Sequence, residues 1–202
     1  MKVLGIVGSK RRHGNTSELV QEALSPFKND NDTTELIFLD DYNIEGCRGC
    51  EGCRETFKCI VNDDMQRLYP LLLEADALIL GSPTYFYNVS ADIKAFIDRC
   101  YCLVSFDATD RSVWVSLNEA RGGKYAIVIA VCEQSREEDM GHTADTMEMT
   151  LQCLGYRITD TVKVMNAFAA GEVCNDKSSM KKAKEAGRKM LKTLILRKKI
   201  QV

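Results

Sequence analysis

The segment "KVLGIVGSKRRHGNTSEL", residues 2–19, sets three signals end to end. An apolar run of strand length comes first, then a polar loop bracketed by Ser9 and Gly14, then a helix opening at Asn15, Thr16 and Ser17. A short continuous Val/Ile/Leu run followed directly by a helical segment is the pattern of a strand buried on both faces of a parallel sheet. The same alternation recurs downstream. Strands are predicted at 2–9, 34–40, 77–85, 124–132 and 158–167, and helices at 15–26, 64–75, 90–103, 142–154 and 178–196. Repeated strand-then-helix units predict an α/β fold with a doubly wound five-stranded parallel sheet in the order 2-1-3-4-5. Ligands of such sheets bind beyond the carboxyl ends of the strands where the winding reverses. The loops after positions 8, 82 and 131 are therefore the ones to read closely.

With 202 residues, 45% of them hydrophobic and 28% charged, the chain is expected to form one domain over 1–202 with its own core. The first apolar run is far short of the roughly 18 residues a membrane span needs. No small-residue cleavage site follows it, so neither a leader nor an anchor is expected, and a cytoplasmic address is. A net charge of −2 accompanies a basic final segment, 176–202. That segment reads as a solvated helix face, with docking of an acidic electron carrier as the alternative. No nucleic-acid or membrane partner is expected. Nine cysteines in a reducing compartment do not form a disulfide framework. Cys100, Cys102, Cys132, Cys153 and Cys174 are scattered and read as small buried hydrophobes.

The loop after the first strand is an anion cradle. Backbone N–H groups at a helix start, the hydroxyls of Ser9 and Thr16, and the charges of Lys10, Arg11 and Arg12 all favour a phosphate. Asn15 stands where a triphosphate loop needs lysine, and no G-x-G-x-x-G run is present, so a monophosphate such as that of FMN fits best. His13 reads as a solvated turn residue. After the third strand, Pro83 fixes the chain as it leaves the sheet, and Thr84, Tyr85, Phe86, Tyr87 and Asn88 precede the capping Ser90. Aromatic side chains in a strand-end loop suit a planar ring, with Asn88 at its polar edge; packing on a second subunit is the competing use. In the third loop Glu133, Gln134 and Ser135 are candidate ring neighbours, and His142 reads as part of a helix start.

Cys47, Cys50, Cys53 and Cys59 stand at C-x2-C-x2-C-x5-C. Structural zinc sites use two separated C-x2-C knuckles, which this run lacks. In two-cluster ferredoxin runs the fourth cysteine precedes proline and serves the other cluster, whereas Cys59 precedes Ile60 and the run is single. All four thiols are therefore expected to hold one [4Fe-4S] cluster. Gly46, Gly49 and Gly52, each directly before a cysteine, allow the tight turns.

These features together resemble the iron-sulfur flavoproteins, flavodoxin-like relatives of the NAD(P)H-dependent FMN reductases. The resemblance rests on the 8–16 loop, the cysteine run at 47–59, "DDM" at 63–65 and "SPTYFYNVSADIKAFIDR" at 82–99. It implies FMN phosphate held by Ser9, Arg11, Asn15 and Thr16 beside Gly14, and the ring held by Pro83, Thr84, Tyr85, Phe86 and Asn88, with Glu133 nearby. It further implies a cysteine-rich insert at about 42–62 after the second strand, and a homodimer or homotetramer in which one subunit's cluster approaches another's FMN. Lys10, where many relatives carry proline, and a longer link at 106–123 depart from that pattern. The expected activity is electron transfer from a one-electron donor such as ferredoxin through the cluster to FMN and on to an acceptor, with no side chain needed as acid or base. Two alternatives stand beside it: an NAD(P)H-dependent FMN or quinone reductase without a functional cluster, and, more remotely, a zinc-stabilised interaction module.

Overall fold

The structure, a computed structural model, describes residues 1–28 and 32–200. Strand β1 (Lys2–Val7) leaves the sheet at Gly8 and leads through the first loop into α1 (Asn15–Leu24). The chain continues through β2 (Thr33–Phe38), α2 (Met65–Glu74), β3 (Ala77–Pro83) and α3 (Ala91–Arg99). A hairpin of β4 (Val104–Phe106) and β5 (Trp114–Ser116) and the short α4 (Leu117–Ala120) follow. The chain then runs through β6 (Lys124–Val131), α5 (Thr143–Cys153), β7 (Tyr156–Val164) and α6 (Lys177–Ile200). The five long strands form one sheet, β2-β1-β3-β6-β7, with every pairing parallel. This is the predicted order, with the fourth and fifth predicted strands now β6 and β7.

Both sheet faces are covered, as a parallel sheet requires. Alternate residues of β1 divide between them: Leu4 and Ile6 join the layer of α2, α3 and α5, and Val3 and Val7 the layer of α1 and α6. Ile93 and Phe96 of α3 are fully buried in the first layer, each contributing about 1.5–3 kcal/mol by leaving water. Two differences from the sequence reading stand out. The predicted helix 90–103 stops at Arg99, and Cys100–Leu103 tightens into a 3-10 turn that redirects the chain into β4. The 106–123 link is not plain connection, because β4 and β5 pair antiparallel within it.

The cysteine-bearing residues 43–62 lie between β2 and α2 and carry no helix or strand. Cys53 and Cys59 pack against the first layer. The basic α6 belongs to the opposite layer, its end fixed by an Arg197 Nη1 hydrogen bond of 2.7 Å to the Gly123 carbonyl. Among the described residues no helix is long and apolar enough to cross a membrane. Of the five scattered cysteines, Cys100, Cys102 and Cys132 are buried as expected; Cys153 is half-buried, and Cys174 is exposed in the turn before α6.

Candidate functional site

A cleft of about 670 Å³ opens at the carboxyl ends of β1, β3 and β6, between the loops picked out from the sequence. That volume falls within the range of cofactor pockets. Its lining includes Ser9, Arg11, Gly14, Asn15, Thr16, Pro83, Thr84, Tyr85, Phe86 and Glu133. Two strand ends are locked together beneath it. Ser90, the N-cap of α3, donates from its hydroxyl to the Gly8 carbonyl at 2.7 Å, and its own N–H donates to Ser82 Oγ at 3.0 Å. Gly8 permits this approach because a Cβ there would lie 2.1 Å from the Ile93 side chain.

At one end of the cleft the first turn of α1 presents N–H groups that no intrahelical carbonyl can accept. Of the three basic loop residues only Arg11 lines the cleft, with its Nη1 donating to the Phe168 carbonyl at 2.8 Å. Lys10 instead pairs with Asp40 at 3.1 Å, and Arg12 grips both oxygens of Asp41 while stacking 4.4 Å from the Phe38 ring centroid. The Asn15 amide is also committed. Its Nδ2 donates to the Ala169 carbonyl at 2.9 Å and its Oδ1 accepts from Val173 N–H at 3.1 Å, which pins the first loop to the segment after β7. Ser17, wholly buried, donates to the carbonyls of Arg12 and Gly14.

The aromatic loop after β3 is a tight reversal. Tyr85 and Asn88 pair across it at 2.8 and 3.2 Å, while Phe86 and Tyr87 occupy the left-handed region at φ 46° and 64°. Non-glycine residues in that region cost about 1–3 kcal/mol each and persist where neighbours hold them. The hold comes from the third loop. Gly141, at φ 56°, packs so closely that a Cβ would lie 2.3 Å from the Tyr87 oxygen, and His142 N–H donates to that oxygen at 2.7 Å. Asn88 does not reach the cleft; its Oδ1 accepts from Val89 N–H at 2.8 Å and from the Thr146 hydroxyl at 3.0 Å. Phe86 is left 98% exposed at the mouth.

A second, small cavity of about 20 Å³ is lined by Cys47, Cys50, Cys53, Cys59 and Cys102, with Arg99 and Tyr101. Its loop is clasped at both ends by Arg99, whose side chain is fully buried. Nη1 donates to the Glu45 carbonyl at 2.9 Å, and Nη2 to Asp63 Oδ1 at 3.0 Å and, more weakly, to the Val61 carbonyl at 3.4 Å. Asp63 in turn accepts from the N–H groups of Glu45 at 2.9 Å and Met65 at 3.1 Å. Gln66 Nε2 donates to the carbonyls of Cys59 and Val61 at 2.8 and 2.7 Å. Burial opposes the charge of Arg99, but Asp63 outweighs it, with Tyr69 and Cys59 adding, so its pKa is raised. Burial pushes the Cys53 thiol up, with the neighbouring thiols of Cys59, Cys50 and Cys47 adding, and burial takes Cys102 to about 11. The hairpin closes over this loop through Arg111, 3.5 Å from Glu51 and 4.7 Å from the Phe106 ring centroid.

Among the described residues four buried side-chain atoms lack a partner, Ser25 Oγ, Thr84 Oγ1, Arg99 Nε and Asn118 Oδ1, and two of them belong to residues that line the cavities: Thr84 at the cleft and Arg99 beside the thiols. An unpaired buried donor or acceptor is costly, so a ligand atom at either cavity that reached Thr84 Oγ1 or Arg99 Nε would relieve that cost. The cleft has the donors, aromatic walls and volume that FMN needs. The second cavity has the thiol set that iron needs, with Arg99 in its lining. Among the described residues, however, no three Cys, His, Asp or Glu side chains converge as they do around a bound metal ion. Sequence reasoning missed Val131, Cys132, Asp139, Ala167 and Phe168 of the cleft lining. The last two lie past β7, and the Gly171 turn that returns the chain to α6 was the available signal.

The sequence model of the family described as NADPH-dependent FMN reductase matches residues 1–155. An iron-sulfur flavoprotein of Methanocaldococcus jannaschii is 46% identical over 99 residues, 49% of this chain and 51% of that protein. Another, from Archaeoglobus fulgidus, is 41% identical over 99 residues, 49% of this chain and 45% of that one. The chain thus spans about half the length of the curated relatives it matches. Among solved structures, an azoreductase of Bacillus anthracis superposes with a TM-score of 0.70 at 15% identity, over 94% of this chain and 99% of that one. An FMN-dependent NADH-azoreductase from the same species, solved with FMN, gives 0.67 at 15% identity, over 93% and 97%. At those identities the likeness is one of fold.

Proposed function

Because the chain belongs to the NADPH-dependent FMN reductase family, we propose that it is a flavin-dependent oxidoreductase of the iron-sulfur flavoprotein kind, holding FMN in the cleft and a [4Fe-4S] cluster at Cys47, Cys50, Cys53 and Cys59. The observation that carries this reading is the mounting of two chemically different cavities on the two ends of α3, through Ser90 and Arg99. Bound FMN would supply two-electron storage and a cluster one-electron transfer, a pairing that matches a ferredoxin-type donor and a further acceptor.

The residues divide the work. The first-turn N–H groups of α1, the Ser9 and Thr16 hydroxyls and Arg11 hold the phosphate. Gly14 caps that turn, and Asn15 positions it by tying it to the segment after β7. Pro83, Thr84, Tyr85 and Phe86 seat the ring, Glu133 lies at its rim, and Asn88 braces the aromatic turn from behind. Around the second cavity the Arg99–Asp63 pair and Gln66 fix the ends of the cysteine loop, leaving its middle to close on iron. The exposed Phe86 and Phe168 at the cleft mouth and Trp114 on the hairpin suit burial against further copies, as a homodimer or homotetramer.

Iron, sulfide and flavin assays on protein purified without oxygen test the reading. About four irons and four sulfides with one FMN per chain are expected. FMN without iron under those conditions would sink the cluster half of the proposal. The second reading, direct use of NAD(P)H, is favoured by the family description and by a cleft open to solvent. Rapid anaerobic bleaching of the flavin by NADPH would favour it, whereas reduction by ferredoxin alone would favour the first. A colourless protein containing zinc would displace both.

A further inference from the structure

We infer that Arg99, through Nε, is a donor to sulfur on the inner side of the cysteine cavity and that it sets the cluster's reduction potential as well as clasping its loop. The inference rests on the cluster reading above and goes beyond it in assigning a tuning role to a residue outside the cysteine run. Arg99 is the largest fully buried side chain of the chain's described residues, and its guanidinium is divided cleanly by task. The two terminal nitrogens are spent on Glu45, Val61 and Asp63, the groups that end the loop. Nε alone has no acceptor.

A charged group's buried N–H left unpaired is among the costlier defects a core can carry. Arg99 lines this cavity together with Cys59 and Cys102, and Cys59 acts directly on its charge, so sulfur is the acceptor within reach of the guanidinium. A neutral thiol is a weak acceptor, whereas a metal-bound thiolate or a bridging sulfide is a strong one. Hydrogen bonds to the sulfurs and nearby charge are principal levers by which a protein moves a cluster's potential. One electron from a donor of the ferredoxin class would convert one Fe(III) of a bound cluster to Fe(II), adding one negative charge that is partly delocalised onto the sulfurs, with no bond made or broken. The Nε–H dipole and the guanidinium charge favour that more negative form, so Arg99 raises the potential. Asp63, bonded to the far side of the same guanidinium, moderates the effect.

The test uses the anaerobically purified holoprotein with the guanidino nitrogens of its arginines isotopically labelled, reduced with dithionite. Iron and sulfide are assayed first; a wild-type protein without them overturns the cluster reading and this inference together. With the cluster present, pulsed EPR of the reduced cluster is expected to show coupling to an arginine nitrogen. In Arg99→Lys, which keeps the charge and removes Nε, the one-electron equilibrium is expected to shift at least tenfold toward the oxidised form, about 59 mV more negative. The flavin potential in the same sample is expected to stay put. A loaded wild-type cluster with no arginine coupling, or Arg99→Lys at the wild-type potential, overturns this inference and leaves Arg99 as a clasp only. Should Arg99→Lys fail to hold iron, the labelled Arg48→Lys protein decides, since Arg48 also lines the cavity: coupling that persists supports Arg99, and coupling that disappears overturns the inference.

Discussion

Replacing Thr84 by Val is expected to move two quantities in opposite directions. The Thr84 N–H is bonded to the Val131 carbonyl at 2.7 Å, which holds the backbone at the cleft wall whichever side chain it carries. The hydroxyl Oγ1 is buried with no partner. Leaving such a group unsatisfied costs about 1–3 kcal/mol, and valine has the same shape without the polar atom, so the flavin-free protein should gain about 1 kcal/mol. If the hydroxyl bonds FMN when the flavin is bound, its loss removes about 1 kcal/mol of net interaction, raising Kd roughly fivefold. Urea unfolding of the flavin-free protein, followed by circular dichroism, reads the first quantity. Quenching of FMN fluorescence reads the second. A gain in stability with unchanged affinity would show that Oγ1 does not face the flavin. A parallel loss of both would show a packing defect and refute the reasoning.

Three further outcomes follow from the same geometry. Arg11→Ala should weaken FMN by about tenfold or more, the worth of a charged hydrogen bond, and leave riboflavin, which lacks the phosphate, nearly unaffected; calorimetric titration with both flavins checks this. Gly141→Ala should cost about 1–3 kcal/mol, because it forces a Cβ to 2.3 Å from the Tyr87 oxygen at a left-handed φ, and should expose the 85–88 turn to limited proteolysis. Asp63 is held below the usual carboxylate range, since burial pushes it up but Arg99 and the Glu45 and Met65 N–H groups outweigh that. A depressed folded pKa gives stability that is full above the unfolded value of about 3.9 and is lost as pH falls through the folded one. Urea unfolding should therefore show wild-type stability dropping below about pH 4. Asp63→Asn should show a flatter acid limb and a loss of about 3–5 kcal/mol at pH 7, the cost of leaving Arg99 buried without its partner.

The layered fold was legible because each buried strand announces itself as a short apolar run, and the boundaries at Lys2, Asn15, Ala77 and Lys124 agree with the expectation. The β4–β5 hairpin was not, since strands of three residues hold no period to read. In the cleft, residue types predicted which loops meet but not how each side chain is spent. Arg12 and Lys10 looked like phosphate ligands until the chain beyond β2 brought Asp41 and Asp40 to them. Asn15 was expected at the phosphate and Asn88 at the edge of the ring, and both side chains are consumed by other hydrogen bonds, Asn15 to the segment after β7 and Asn88 to Val89 and to Thr146 of α5. Arg99 closes the 82–99 motif on which the resemblance rests, yet no role was legible for it: an arginine at the end of a helix is ordinarily a favourable surface charge, and only the tertiary arrangement buries it.

Helix α3 spans nine residues, so about 13 Å of helix axis separates the Ser90 anchor on the flavin loop from the Arg99 anchor on the cysteine loop. Its inward face is packed through Ile93 and Phe96, which leaves it little freedom to bend. The helix therefore works as a fixed strut. The cleft and the cysteine cavity of one chain are held at a set spacing, and one added turn would lengthen the strut between their anchors by about 5.4 Å.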